Sequence, residues 1–227
     1  GAGAGAAVIV KVCGVRTAEV AEAAVDAGAG LVGLVFVARS PRYVDDRAAD
    51  AVREAVAGRA DLVGVLVEPP AALCDHLAAR HRLAAVQVHG EVDPGLVAET
   101  AVPVIRALNA RSAAHAYTDP WWPASLLLLD SAPDDPAALP GGTGRRLPAA
   151  WAAEVARHRS VILAGGLGPD SVADAIAAIR PRGVDASSGL ESAPGVKDPA
   201  LVRAFVRTAR AAFDLLAAAP ATAGGRA

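Results

Sequence analysis

The sequence predicts a single-domain (β/α)₈ barrel of the TIM type, on three observations. Short runs rich in β-branched residues alternate with alanine-rich helical stretches from one end to the other; eight such runs can be counted; and polar residues inside them gather at their C-terminal ends. A length of 227 residues, 53% hydrophobic and 20% charged, suits one domain with a sizeable buried core.

In order, the predicted strands are Val8–Cys13, Leu31–Val37, Leu62–Val67, Ala85–His89, Val104–Leu108, Leu126–Asp130, Val161–Ala164 and Val184–Ser187. Each is nearly continuous in apolar character, as parallel strands buried on both faces should be. Eight units favour a closed barrel over an open sheet. Helix openings support the register: Asp93-Pro94, Pro169 after Gly168, and Asp198-Pro199 each supply a cap or a first-turn proline. The weakest unit is 111–123, where Trp121-Trp122-Pro123 interrupts any long helix and reads as barrel-wall packing. The Gly/Ala alternation of residues 1–7 reads as a flexible lead and 217–227 as a flexible tail, which leaves 8–216 for the barrel.

Charge narrows the function classes. A net charge of −2 gives no overall reason to approach a polyanion, so nucleic acid is not an expected partner. No stretch approaches the roughly 18 apolar residues that a membrane span requires. Two cysteines, Cys13 and Cys74, are too few for a disulfide framework and stand in no metal-spaced cluster, so a soluble protein of a reducing cytoplasm is expected. Cationic residues are almost all arginine; Lys11 and Lys197 are the two lysines and merit inspection for that reason.

In a barrel of this kind the chemistry sits at the strand C-termini. The polar residues there are Cys13, Gln87 with His89, Asp130, and Asp185 with Ser187. With period two, Lys11 and Cys13 share a face and point into the barrel, where an ammonium would lower the thiol pKa toward the range of a useful base. Cys13 is then a proton-transfer group or simply a small buried hydrophobe; for Cys74, between Leu73 and Leu77, the hydrophobe reading is preferred. Asp130 closes the run Ser125-Leu126-Leu127-Leu128-Leu129, where partial desolvation suits a general acid, although a loop-closing aspartate would look the same.

Glycine-rich loops follow three strands: Gly141-Gly142-Thr143-Gly144, then Ala164-Gly165-Gly166-Leu167 after strand 7, and Ser187-Ser188-Gly189 after strand 8. The last two occupy the usual phosphate position of the fold, because glycine lets backbone amides approach an anion closely. Arg39-Ser40-Pro41-Arg42 after strand 2 offers guanidinium forks for a carboxylate, or is an ordinary solvated basic loop. His89 has no second ligand at metal spacing, so no metal is expected.

Together these segments carry a resemblance. Lys11-Val12-Cys13-Gly14, Gly33-Leu34-Val35-Phe36 with Ser40-Pro41-Arg42, Val86-Gln87-Val88-His89-Gly90, Leu129-Asp130-Ser131, Gly141-Gly142-Thr143-Gly144, Leu163-Ala164-Gly165-Gly166-Leu167, Gly183-Val184-Asp185-Ala186-Ser187-Ser188-Gly189 and Pro194-Gly195-Val196-Lys197-Asp198 resemble, in this order, the phosphoribosylanthranilate isomerase family of tryptophan biosynthesis, from about Val8 to Arg210. The resemblance implies a cofactor-free Amadori rearrangement of a small phosphosugar, with Cys13 as base and Asp130 as acid. It further implies that Arg42 holds the anthranilate carboxylate, that Gly166, Ser188 and Gly189 cradle the phosphate, and that Asp185 and His89 border the sugar; Lys11, Gln87, Gly142, Gly144, Gly165 and Ser187 complete the expected substrate-binding set. Such an enzyme would be a monomer or a homodimer.

The chain departs from the family pattern in places. Arg145-Arg146-Leu147-Pro148 follows the GGTG loop instead of Phe-Asp-Trp, Glu68 stands where asparagine is common, and Gly30 stands where aspartate is. A related isomerase of histidine biosynthesis shares the barrel but places aspartate where Cys13 stands, and a silent phosphate-binding barrel would not need both Cys13 and Asp130.

Overall fold

A computed structural model describes residues 8–93, 95–109, 126–130 and 149–218. Eight parallel strands close into a barrel in chain order: β1 (Ile9–Cys13), β2 (Leu31–Val35), β3 (Asp61–Val67), β4 (Ala85–His89), β5 (Val104–Asn109), β6 (Leu126–Asp130), β7 (Val161–Leu163) and β8 (Gly183–Ala186). The described helices are α1 (Ala18–Ala27), α2 (Asp46–Val56), α3 (Ala71–His81), α4 (Leu96–Glu99), α5 (Ala149–His158), α6 (Val172–Ile179) and α7 (Pro199–Ala218). The barrel closes where β8 pairs with β1, with Ile9 opposite Gly183 and Lys11 opposite Asp185.

Strand alternation sorts the side chains into two cores. Val10, Val12, Val32, Leu34, Val86, Val88, Leu127, Leu129, Val161 and Val184 pack outward in one large cluster with the helices. The other parity fills the barrel interior, where Val63, Ala85, Ile105, Ala107, Leu128, Ile162 and Ala164 form an apolar plug. Above it the interior turns polar. Lys11, Gln87 and Asp185 are all buried, and Cys13 packs on Val35 and Val65. A Cβ on Gly33 would sit 2.9 Å from Cys13 Sγ and 3.2 Å from Lys11 Nζ, so this β2 glycine makes the room that both side chains occupy.

Local signals fix the helices. The Thr17 hydroxyl accepts from Val20 N, and Asp45 Oδ1 accepts from Ala48 N at 2.8 Å. Along α7, Val202, Phe205, Val206, Ala209 and Phe213 form the buried stripe, each large side chain worth about 1.5–3 kcal/mol when removed from water. Glu68, just past β3, adopts a left-handed backbone with φ of 46°, which asparagine tolerates better than glutamate; its carboxylate accepts from Glu91 N at 2.9 Å.

Compared with the sequence reading, β1 starts at Ile9, β2 ends at Val35, β7 ends at Leu163, and α6 opens at Val172, three residues beyond Pro169. The last helix runs to Ala218, past the expected boundary at 216. A 3₁₀ turn over Ser188–Leu190 and a hairpin of β9 (Glu191–Ala193) and β10 (Val196–Lys197) separate β8 from α7; neither was anticipated. The lead 1–7, Pro94, the Trp121-Trp122 segment and the GGTG loop with Gly142 and Gly144 lie outside the described residues.

Candidate active site

A cavity of about 130 Å³ opens at the C-terminal end of the barrel, where the active sites of this fold assemble. Cys13 from β1, Gln87 and His89 from β4, Asp130 at the end of β6, Asp185 from β8, and Ser187 just beyond it line one side. Ser40, Pro41 and Arg42 from the loop after β2 line another, with Val35, Val37, Val65 and Val67 as apolar wall. Arg39 is exposed and does not line the cavity, so one guanidinium of the expected pair reaches it. Lys11 is not part of the lining either. It lies two residues below Cys13 on β1, fully buried, and donates from Nζ to Asp185 Oδ1 at 3.1 Å.

The interior charges are coupled. Burial alone would push Lys11 down, yet Asp185 and Cys13 outweigh it and hold the ammonium above its ordinary range. For Cys13 the balance falls the other way: burial pushes the thiol up, further than Lys11 and Lys197 pull it down, with Asp185 adding to the rise. Lys11 does pull this thiol down, as expected, but the net shift is upward and not toward the range of a useful base. The lysine does favour the thiolate, but desolvation of the strand end is the larger effect. His89 is pushed down to about 3 by burial and by the nearby cations Lys11 and Arg106, so its ring is neutral at physiological pH. Gln87 Nε2 donates to His89 Nε2 at 2.7 Å, which leaves the ring proton on Nδ1.

The loops after β7 and β8 are locked together by a close backbone approach. A Cβ on Gly189 would fall 2.1 Å from Leu167 O, so no other residue fits there without parting the loops. Gly165 and Gly166 take left-handed φ values of 83° and 65°. Their amides have no acceptor among the described residues. Free amides on two successive glycines are the kind of donor an anion-binding loop uses, although neither glycine lines the cavity itself.

Comparisons with known proteins agree over nearly the whole chain. The family model described as "PRAI: N-(5'phosphoribosyl)anthranilate (PRA) isomerase" matches residues 10–208. The chain belongs to this family. An N-(5'-phosphoribosyl)anthranilate isomerase of Azorhizobium caulinodans is 42% identical over 212 residues, covering 91% of this chain and 93% of the relative. The corresponding protein of Paracoccus denitrificans is 41% identical over 213 residues, covering 90% and 98%. Among solved structures, phosphoribosyl anthranilate isomerase from Thermus thermophilus superposes with a TM-score of 0.78 at 34% identity, covering 92% of this chain and 99% of that one. An isomerase crystallised with reduced 1-(o-carboxyphenylamino)-1-deoxyribulose 5-phosphate gives 0.76 at 30% identity, covering 90% and 99%.

Within this family site, sequence reasoning singled out every polar lining residue except Ser40, quoted there only as part of a motif. It missed two supporting side chains, Arg106 and Glu191, and noted a third, Lys197, without a role. Arg106 on β5, buried on the parity of Val104 and Leu108, donates to Val88 O at 3.0 Å and to Gly90 O, tying down the end of β4 that carries His89. Burial draws its guanidinium down to about 10, with Glu68 opposing. Glu191 and Lys197 flank Arg42 from the unanticipated hairpin. The rarity of lysine was the one signal that pointed to any of these. Among the described residues, no three His, Cys, Asp or Glu side chains are grouped to hold a metal ion, and no helix is long and apolar enough to cross a membrane.

Proposed function

We propose that this chain catalyses the Amadori rearrangement of N-(5-phosphoribosyl)anthranilate to 1-(2-carboxyphenylamino)-1-deoxyribulose 5-phosphate, a step of tryptophan biosynthesis, with Asp130 as general acid and Cys13 as general base. One observation carries the reading: in a member of this family, a thiol from β1 and a carboxyl from β6 converge on one cavity that also holds Arg42. Asp130 protonates the furanose ring oxygen, the C1–O bond breaks, and the nitrogen lone pair closes a Schiff base. Cys13 removes the C2 proton, and the enolamine tautomerises to the aminoketone. The positive Schiff base adds a charge beside Cys13 that offsets the burial opposing its thiolate. Gly165, Gly166, Ser188 and Gly189 receive the phosphate on backbone and hydroxyl donors, Arg42 takes the anthranilate carboxylate, and Gln87, His89 and Asp185 border the sugar.

Loss of anthranilate-type fluorescence on adding enzyme tests this. Cys13→Ala and Asp130→Asn should each lower kcat by roughly 10²- to 10⁴-fold, the ordinary contribution of a positioned acid or base. A near-native rate in either variant removes that residue from the mechanism, and no turnover by the wild type removes the assignment altogether.

A further inference from the structure

Arg42 does not stand alone at the cavity. Its Nε and Nη2 donate to Glu191 Oε1 and Oε2 at 2.7 and 2.9 Å, a two-point clamp on one edge of the guanidinium. Glu191 is itself held by Lys197 Nζ at 2.5 Å and by Gly195 N at 3.2 Å, and its side chain is only 5% exposed. Burial works against the Glu191 carboxylate, but Arg42 and Lys197 outweigh it and hold its pKa down at about 2. Four donors on one buried carboxylate make a fixed post.

The geometry leaves a second edge of Arg42 open. Nη1 has no acceptor among the described residues, and the Nη2 hydrogen beside it points to the same side, so a planar fork remains for another carboxylate. The charges match as well. Arg42 and Lys197 bring two positive charges and Glu191 one negative, leaving one to be neutralised by a single anionic group. Packing fixes the arm from below, since a Cβ on Gly14 would lie 2.8 Å from Arg42 Cδ. The hairpin is fastened to the Arg42 loop by Arg16 Nη1, which donates to Pro41 O at 3.2 Å and Gly195 O at 3.4 Å.

We propose that Glu191 is a positioning residue for substrate specificity: by occupying the Nε edge of Arg42, with Lys197 behind it, it aims the remaining edge at the carboxylate of the aromatic amine. This rests on the reading above that Arg42 binds that carboxylate. Glu191 touches no reacting atom and acts through Arg42.

The test compares two stable ligands, the reduced carboxyphenylamino-deoxyribulose phosphate and its phenylamino counterpart lacking the carboxyl, by calorimetric titration of wild type, Glu191→Gln, Glu191→Ala and Arg42→Ala. Wild type should prefer the carboxylated ligand by roughly 10- to 100-fold, the worth of a charge-assisted hydrogen bond, and Arg42→Ala should abolish the preference. In both Glu191 variants the carboxylated ligand should weaken about tenfold while the carboxyl-free one binds as before. Equal weakening of both ligands in Glu191→Gln, which preserves shape, means a merely structural role and overturns the proposal. So does an unchanged or tighter grip on the carboxylated ligand, which would mean that removing a negative charge matters more than aiming the fork. A wild type without preference overturns the Arg42 reading itself, a result distinct from either.

Discussion

Lys11 and Asp185 meet across the seam that closes the barrel, the ammonium fully buried and 3.1 Å from the carboxylate. Their attraction offsets the loss of hydration that each suffers, so the pair is worth little compared with an apolar pair, but either partner alone is costly. Asp185→Ala should lower stability by about 3–5 kcal/mol, read from the urea midpoint at an unchanged slope. The double substitution Lys11→Met/Asp185→Leu should recover much of that loss. Additive losses in the double variant would show that the two charges are not coupled.

Lys11 also favours the Cys13 thiolate. If that thiolate is the base, Lys11→Met should move the acidic limb of the kcat/KM profile to higher pH, so that activity falls at pH 7 and returns as the medium is made more alkaline. Rates measured from pH 6 to 10 decide the matter. A limb that stays in place excludes Lys11 from the proton-transfer step.

The neutral His89 has a consequence for acid stability. Its pKa is about 3 in the folded chain against an unfolded value near 6.5. Between these values the unfolded state binds the extra proton, so this residue subtracts stability progressively as pH falls from about 6.5 toward 3. His89→Gln, which can still bond to Gln87, should flatten the decline in denaturation midpoint between pH 7 and pH 4. An identical decline would mean that the ring is not held neutral.

Gly189→Ala should part the loops after β7 and β8, because the new Cβ cannot share space with Leu167 O. The expected effect is a KM at least tenfold higher with a smaller change in kcat, together with weaker competitive inhibition by inorganic phosphate. If inhibition by phosphate is undiminished, the anion binds elsewhere.

Much of this was legible in the sequence because the fold repeats one pattern. Apolar runs with one polar residue at the end, as in Leu126 to Asp130, give both the strand and the site position. What escaped had no local signature. Glu191 looks like part of an ordinary surface turn until the hairpin folds it back onto Arg42, a residue 149 positions away. Arg106 carries no sequence signal of a role, yet it is buried and donates to Val88 O on β4 and to Gly90 O just past it. The direction of the Cys13 shift was misjudged because strand parity places Lys11 nearby but gives no measure of desolvation. The asparagine usual at the Glu68 position has a backbone explanation that only the φ angle reveals.

The seam contact joins residues 174 positions apart. During synthesis β1 is made well before β8, so the lysine beneath Cys13 must wait for its counter-charge until the six intervening strands of the barrel have followed. Contacts of such separation form late and slowly. A nascent chain ending before Gly183 would hold the thiol and its arginine loop but not the carboxylate that makes the buried ammonium tolerable, so enzymatic competence arrives with the final strand and not before.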